Sequence, residues 1–458
     1  MPCGAGQSFV GTAWQAARVR TAYRCRAYPD ATQQAMLNRT FGCVRVVWNT
    51  ILAIRQQRYV TERTGMSYGQ ASAALTALKK DPQRAWLNEV SCVPLQQALR
   101  HQQQAFAAFF AGRARYPRFK SRQGRQAAEY TRSAFTLRNG ELRLAKTPGP
   151  LVFVWSWPGV DVAGLGPTTV FVSKEPDGRW YVTFAIDASA PAPMPGTGQA
   201  VGVDLGITSF AVISDGQRFA NPRHLERRAR NLARYQRRLG RCQHGSANRA
   251  RAKAKVARAH RKVRNARQDF LHRTTTQLIR DNDLIAIEDL NVSGMVRNRR
   301  LARAISDCGW GEFRRQLAYK CQRAGRRLIV TDRWYPSTKT CSACGFLLAG
   351  LPLKTRAWRC PSCRTRHDRD LIAAKNILAA GLAAARDHPG DACGADVRHP
   401  KTPPVQSAVK QEPQPARAGI PVHQDGEYSK QPHHAFEVGD GWLSDDVAAD
   451  AELVGLGA

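Results

Sequence analysis

Residues 200–220 read "AVGVDLGITSFAVISDGQRFA". With the "NP" that follows, the stretch divides into "AVGVDLGI", "SFAVIS" and "QRFANP", three short apolar runs that read as consecutive strands joined by tight turns. Asp204 stands inside the first run, between apolar neighbours. A carboxylate in an apolar strand is costly unless it is paired or binds a metal. The stretch therefore announces an α/β sheet and a candidate site together. The plainer reading is that Asp204 ends a strand in a turn with Gly206.

Downstream, residues 223–267 carry 17 Lys and Arg and one acid, Glu226. Leu225, Leu232, Tyr235 and Leu239 recur in heptad-like steps, as do Val256, Val263 and Phe270, with Gly240 and Gly245 between the two sets. The region 222–280 reads as two antiparallel helices with one apolar seam and basic outer faces. "DLIAIEDL" (283–290) is a buried strand ending in Glu288, and Asp289, its neighbour, should face away from it. "WGEFRRQLAYKCQRAG" (310–325) is an amphipathic helix and "RRLIVTDRW" (326–334) another strand. "DLIAAKNILAAGLAAA" (370–385) is a final helix opened by Asp370. Singly, Glu288 reads as a surface strand end, and Asp370 or Asp368 as a helix cap. Jointly, Asp204, Glu288 and Asp370 can gather on one sheet edge. Three carboxylates there suit two Mg²⁺ ions and in-line phosphodiester hydrolysis.

Cys341-x-x-Cys344 and Cys360-x-x-Cys363 are separated by a hairpin-sized loop. Four thiolates in two such pairs predict a structural Zn²⁺ with no open coordination position. His367 is a substitute ligand on spacing alone, but four cysteines suffice, and an exposed or phosphate-facing role is expected of it.

Upstream, "RVRTAYRCRAY" (18–28) reads as a strand. The helix that follows starts at Pro29 and Asp30, with Phe41, Val44, Trp48, Leu52 and Ile54 as its apolar face. Helical patterns continue to about Gly112. "ARYPRFKSRQGRQ" (114–126) is basic and aromatic, and residues 133–187 are rich in β patterns, with Asp177-Gly178 a hairpin turn. The remaining composition bounds the partners. The chain has 70 Lys and Arg against 35 Asp and Glu, a net charge of +35. A twofold excess of base points to a polyanion, nucleic acid before membrane. No apolar run approaches the ~20 residues of a membrane span. The N-terminus lacks the apolar core of a secretory signal. Eight of the twelve cysteines are scattered as free thiols usually are in a reducing compartment, so a cytoplasmic protein is expected. Arg118, Lys120, Arg122, Arg227, Arg234, Arg238, Arg258 and Arg261 are the candidate nucleic-acid contacts.

The motifs "VGVDLGITSFAVISDG", "LIAIEDLNVSGM", "WYPSTKTCSACG", "CPSC" and "HDRDLIAAKNIL", in that order, closely resemble the TnpB (OrfB) proteins of bacterial insertion sequences, relatives of type V CRISPR effectors. "YPDATQQAMLNRTFGCVRVVWN" and "YPRFKSR" resemble them too, and the likeness covers roughly residues 18–385. It implies a RuvC-like nuclease domain of RNase H fold, at 199–336 and 367–385, interrupted by a zinc ribbon at 337–366. It also implies an N-terminal wedge β-barrel (18–30 and 113–190) carrying a helical recognition lobe (31–112). By composition, residues 191–198 read as a linker, 1–17 as a variable extension, and 386–458, rich in Pro, Gly and charge, as a disordered tail. The implied activity is RNA-guided, Mg²⁺-dependent DNA cleavage by a transposable element's protein. Its partners would be a guide RNA from the element's end and target DNA, bound by a monomer, with Asp204, Glu288 and Asp370 as the catalytic acids. The family has Asn where this chain has Ile372, two residues past the last acid, which points to weakened positioning there. The other readings are a nuclease-weak or nuclease-dead RNA-guided regulator, and a transposase acting directly on element ends.

Overall fold

The computed structural model describes residues 18–387 apart from 158, 190 and 353; the expected extension at 1–17 and nearly all of the expected tail at 386–458 lie outside the described residues. Strand β1 (Arg18–Ala27) is followed by helices α1 (Ala31–Glu62), α2 (Tyr68–Lys80) and α3 (Cys92–Phe110). Asp30 caps α1, accepting from the Gln33 amide while the Gln33 side chain accepts from the Asp30 amide. Phe41, Val44, Trp48 and Leu52 are buried as their spacing predicts, but Ile54 is exposed. The inward stripe steps by three and four, so it passes through Ile51 and Arg55 and leaves Ile54 out of phase.

Seven strands follow: β2 (Gln126–Thr131), β3 (Phe135–Arg138), β4 (Glu141–Leu144), β5 (Pro150–Leu151), β6 (Phe153–Val154), β7 (Thr169–Lys174) and β8 (Trp180–Ser189). β1 pairs with β8 along its whole length, from Arg18↔Ser189 to Ala27↔Trp180. The ladder β2-β7-β8-β1-β6 is antiparallel, and β3-β4-β5 packs into the same core. In β1 the period of two sends Thr21, Tyr23, Cys25 and Ala27 inward and Arg24 and Arg26 outward. Gly178, in the left-handed region, closes the β7–β8 turn at the expected Asp177-Gly178 pair. Helices α1 to α3 lie between β1 and β2 in the chain.

The second sheet is built from β9 (Ala200–Leu205), β10 (Ser209–Ile213), β11 (Arg218–Ala220), β12 (Leu284–Glu288) and β13 (Arg327–Thr331). Its order is β11-β10-β9-β12-β13. The first three strands form an antiparallel meander, while β12 runs parallel to both β9 and β13. Counted within this sheet alone, the order is 3-2-1-4-5. The crossover from β11 to β12 is made by α4 (His224–Gly240) and α5 (Ala247–Asp281), the antiparallel basic pair, with Leu232, Ala252 and Val263 buried. After β12 come α6 (Val292–Met295), α7 (Ala302–Cys308) and α8 (Trp310–Ala324); after β13 a ribbon with strands β14 (Ala357–Arg359) and β15 (Arg366–Asp368) leads to α9 (Arg369–Asp387).

Strand parity sorts the two faces of this sheet. Val201, Val203, Ile285 and Ile287 pack with Leu271, Leu278, Phe313 and Leu317 of α5 and α8. Leu284, Ala286 and Ile329 face Ile377 and Ala385 of α9. Gly202 and Gly381 let α9 lie against the strands. A Cβ on Gly202 would sit 2.1 Å from the Ala374 carbonyl oxygen, and one on Gly381 would sit 2.5 Å from the Ala286 Cβ. Gly202→Ala must therefore push α9 off the sheet. We expect a loss of about 1–3 kcal/mol, as for other overpacked cores, and a thermal unfolding midpoint lowered by several degrees. An unchanged midpoint would contradict the contact.

Candidate active site

Asp204 and Glu288 lie at the carboxyl ends of neighbouring parallel strands. Val203 is level with Ile287, so the two acids occupy the next register positions. Both share parity with the residues that face α9. Asp370 stands in the first turn of α9, near enough to Asp204 for its charge to act there. Burial pushes the Asp204 carboxyl up to about 7, and the Asp370 and Glu288 carboxylates push the same way against the opposing Arg369 charge. Burial, and then the Asp289 charge, also raises Glu288. Asp204 therefore feels the charge of both other expected acids.

The two aspartates of "DRD" divide the work. Asp368 accepts from the amides of Asp370 and Leu371, at 3.1 and 3.0 Å, and pairs with Arg218 at 3.0 Å. Burial alone would raise its acid, but the amide and guanidinium donors hold it below the usual range. Asp368 is thus the helix cap, and Asp370 is left to face the sheet edge. Asp289 turns away as expected: Arg314 of α8 and Arg333 bind its carboxylate. Sequence reasoning missed the cations at Asp370. Arg356, from the ribbon, lies 3.5 Å from it and Arg218, from β11, 3.9 Å. Neither arginine sits in a motif that marks it.

The four cysteine Sγ atoms all lie within 4.8 Å of one another and are the compact ligand cluster among the described residues. Cys341–Cys363 and Cys344–Cys360 are each 3.6 Å apart. Tetrahedral Zn²⁺ with ~2.3 Å bonds sets its sulfurs about 3.8 Å apart, so the donors fit that ion. Each CxxC pair sits in the same turn: the Gly345 amide returns to the Cys341 carbonyl and the Arg364 amide to that of Cys360, both at 2.9 Å. Gly345 and Arg364 both take left-handed backbone there.

Two residues differ from expectation. His367 is neither exposed nor phosphate-facing. Strand β15 turns it inward, its ring packs on Trp358, and Nε2 lies 3.0 Å from the Cys341 sulfur, beside the ligand set. Ile372 is fully buried against Cys341, Trp358 and Cys360. Two residues along a helix is about 200° around it, so position 372 points away from Asp370 and into the ribbon. Asn376, buried one turn on, donates to the carbonyls of Ser337 and Thr340, both at 2.7 Å. Ile372 and Asn376 fasten the ribbon to α9.

The candidate nucleic-acid cations separate into two groups. Arg118, Arg122, Arg227, Arg234, Arg238 and Arg258 are exposed, and Arg234 and Arg238 line one cavity with Arg237 and Arg241. Lys120 is exposed too, with Nζ 3.9 Å from the Trp48 ring centroid. Arg261 is different: its guanidinium binds Asp177, whose side chain is only 2 % exposed. Together with Arg264–Glu175 at 3.1 Å, this pair clamps the β7–β8 turn to α5. Arg261 is therefore a structural cation, because the turn places an acid opposite it.

Three family models match segments of the chain. A family described as "Probable transposase" matches residues 180–299, and a "Cas12f1-like, TNB domain" matches residues 310–377. A "Helix-turn-helix domain" matches residues 19–64, although this segment is a strand and one continuous helix. A "Putative RNA-guided DNA endonuclease" of Streptomyces pristinaespiralis is 50% identical over 407 residues, covering 88% of this chain and 99% of the relative. The "Putative RNA-guided DNA endonuclease InsQ" of Escherichia coli K12 is 31% identical over 408 residues, covering 86% and 97%. Among solved structures, a Cas12f1–sgRNA–target DNA complex is similar with a TM-score of 0.47 at 12% identity, covering 79% of this chain and 99% of that one.

Two outcomes follow from the metal-ligand cluster and the basic pair. The purified chain should carry one zinc, and Cys360→Ser should lose it together with part of the thermal stability; an unchanged metal content would exclude the cluster as the site. Replacing Arg234 and Arg238 by Gln should flatten the salt dependence of nucleic-acid binding, by about 0.7–0.9 in logarithmic slope per lost phosphate contact. Arg261→Gln should lower stability and leave that slope alone.

Proposed function

This chain belongs to the TnpB-like family of RNA-guided DNA endonucleases, and from that premise we propose that it cuts DNA with Asp204, Glu288 and Asp370. The observation that carries the reading is the convergence of these acids from β9, β12 and α9, in a chain whose net charge is +35. A buried acid raised further by two neighbouring carboxylates, as Asp204 is, is expected where a cation belongs. The donor set is all carboxylate oxygen, which fits Mg²⁺. Two such ions bound there would supply an activated water and a counter-charge for the leaving oxygen. The chain's own residues hold the substrate. Arg218 and Arg356 put positive charge beside Asp370, where a phosphate group approaching the acids meets it. The unpaired arginines of α4 and α5 offer a longer track for the phosphate backbone.

In this reading a guide RNA, encoded at the element's own end, selects the DNA by base pairing, and the protein reads only a short adjoining motif. The β-rich region of 18–30 and 113–190 would act as the wedge barrel, and 31–112 as the recognition lobe. Residues 199–336 and 367–385 would cut, with the ribbon of 337–366 between them, as a monomer with its RNA. The nuclease-dead alternative drew its support from Ile372, which serves the ribbon core instead. No helix of the described residues is long and apolar enough to cross a membrane.

The test is cleavage of a matched plasmid by the RNA-loaded protein. Asp204→Ala and Asp370→Asn should fall to background while RNA binding survives. Asp368→Ala should keep cutting and lose about 1 kcal/mol of stability, as a lost helix cap does. Undiminished cutting by Asp204→Ala would overturn the site.

A further inference from the structure

The end of α3 carries an exposed aromatic cluster that the nuclease site does not use. Phe110 is 78 % exposed and Tyr116 is 40 % exposed. Apolar rings this open are costly unless something covers them. The rings are also held in place. Phe109 meets Phe110 at 5.3 Å between centroids, and Tyr116 stands edge-on to Phe106 and Phe109 at 5.4 and 5.3 Å. Arg55 also meets the Phe106 ring, 5.1 Å from its centroid. The loop that follows is pinned to α1: Trp48 Nε1 donates to the Arg118 carbonyl at 3.0 Å, and the Asn49 side chain bonds both the amide and the carbonyl of Lys120.

We propose that Phe110 and Tyr116 form a stacking platform for unpaired nucleobases of a single-stranded nucleic acid. The charge around the rings argues for this occupant. Arg113, Arg115, Arg118, Arg122 and Arg125 are exposed, and no ion pair is recorded for them among the described residues. No acidic residue stands between Glu89 and Glu129. A second copy of the chain would bring arginine against arginine, and an apolar partner would leave these cations unanswered. A nucleic acid strand answers both features, because its phosphates match the cations and its base faces match the rings. Paired bases inside a duplex are already stacked and cannot do so. The inference rests on the nucleic-acid reading of the chain but not on its cutting DNA.

The test is equilibrium binding by the full-length chain, freed of nucleic acid, to a single-stranded DNA 20-mer, a single-stranded RNA 20-mer and a blunt-ended DNA duplex of equal length. The DNA and RNA arms decide which strand the platform serves. Phe110→Ala with Tyr116→Ala should weaken one or both single strands by about tenfold or more, since one stacked base carries that much, and leave duplex binding within about twofold. Phe110→Trp should keep the affinity, because it retains a stacking face. Quenching of a 2-aminopurine base in the single strand should vanish in the Ala variant and persist in the Trp variant. All binding is measured without divalent cations, so that no cutting is required, which separates failure of the platform from failure of the nuclease site. Single-strand affinity unchanged in the double Ala variant at an unchanged melting temperature would overturn the proposal. So would equal losses for single strand and duplex. A parent dimer in sedimentation that the Ala variant converts to monomer would also overturn it.

Discussion

Everything at the candidate site depends on how closely α9 approaches the sheet. Side chains normally hold a helix well away from the strands beneath it. Here Gly202 and Gly381 remove that spacing at two points, and the Ala374 carbonyl rests where a Gly202 side chain would be. Gly202 is two residues from Asp204 and on the same strand face, so the contact that seats α9 also sets the height of Asp370 above Asp204. The zinc ribbon depends on it as well. Ile372 and Asn376 stand on the same helix and hold the ribbon from its core and from its entering turn. One close packing contact thus aligns a carboxylate and a separate metal-ligand cluster.

The second constraint is the disposal of positive charge. A chain this basic must neutralise some cations to fold and leave others open to bind. The split follows position along α5. Toward its carboxyl-terminal half, Arg261, Arg264 and Arg267 meet Asp177, Glu175 and Asp307. Before them, Arg251 and Arg258 stay in solvent, as do the arginines of α4. The few acids are therefore spent where elements must be joined. Arg24 shares Glu175 with Arg264, so one carboxylate ties β1, the β7–β8 turn and α5 together. Such partly buried, networked pairs hold more firmly than isolated surface pairs.

The main elements of the nuclease-like domain were legible because each rests on a local rule. Alternation and apolar runs marked β9, β10, β12 and β13, and parity placed Asp289 away from Glu288. The CxxC spacing marked the thiol cluster. The misreadings share one cause. Ile54, Arg261, His367 and Ile372 were each judged by residue type or by a neighbour in sequence, and each is decided by what lies opposite. Helix phase turned Ile54 out and Ile372 into the ribbon. Strand phase turned His367 in. The β7–β8 turn presented Asp177 to Arg261 from 84 residues away in the chain.

The amino-acid sequence by itself determined the element pattern, the pairing of the thiols in two CxxC turns and the excess of positive charge, because these follow from periodicity, spacing and composition. Only the tertiary structure decided which aspartate of "DRD" faces the sheet and which caps the helix, which arginines are free, and where the aromatic rings after α3 point. Those outcomes turn on distances between segments far apart in sequence. Asp368 met two free amides and Arg218, while Asp370 met Asp204, and no local pattern distinguishes two aspartates one residue apart.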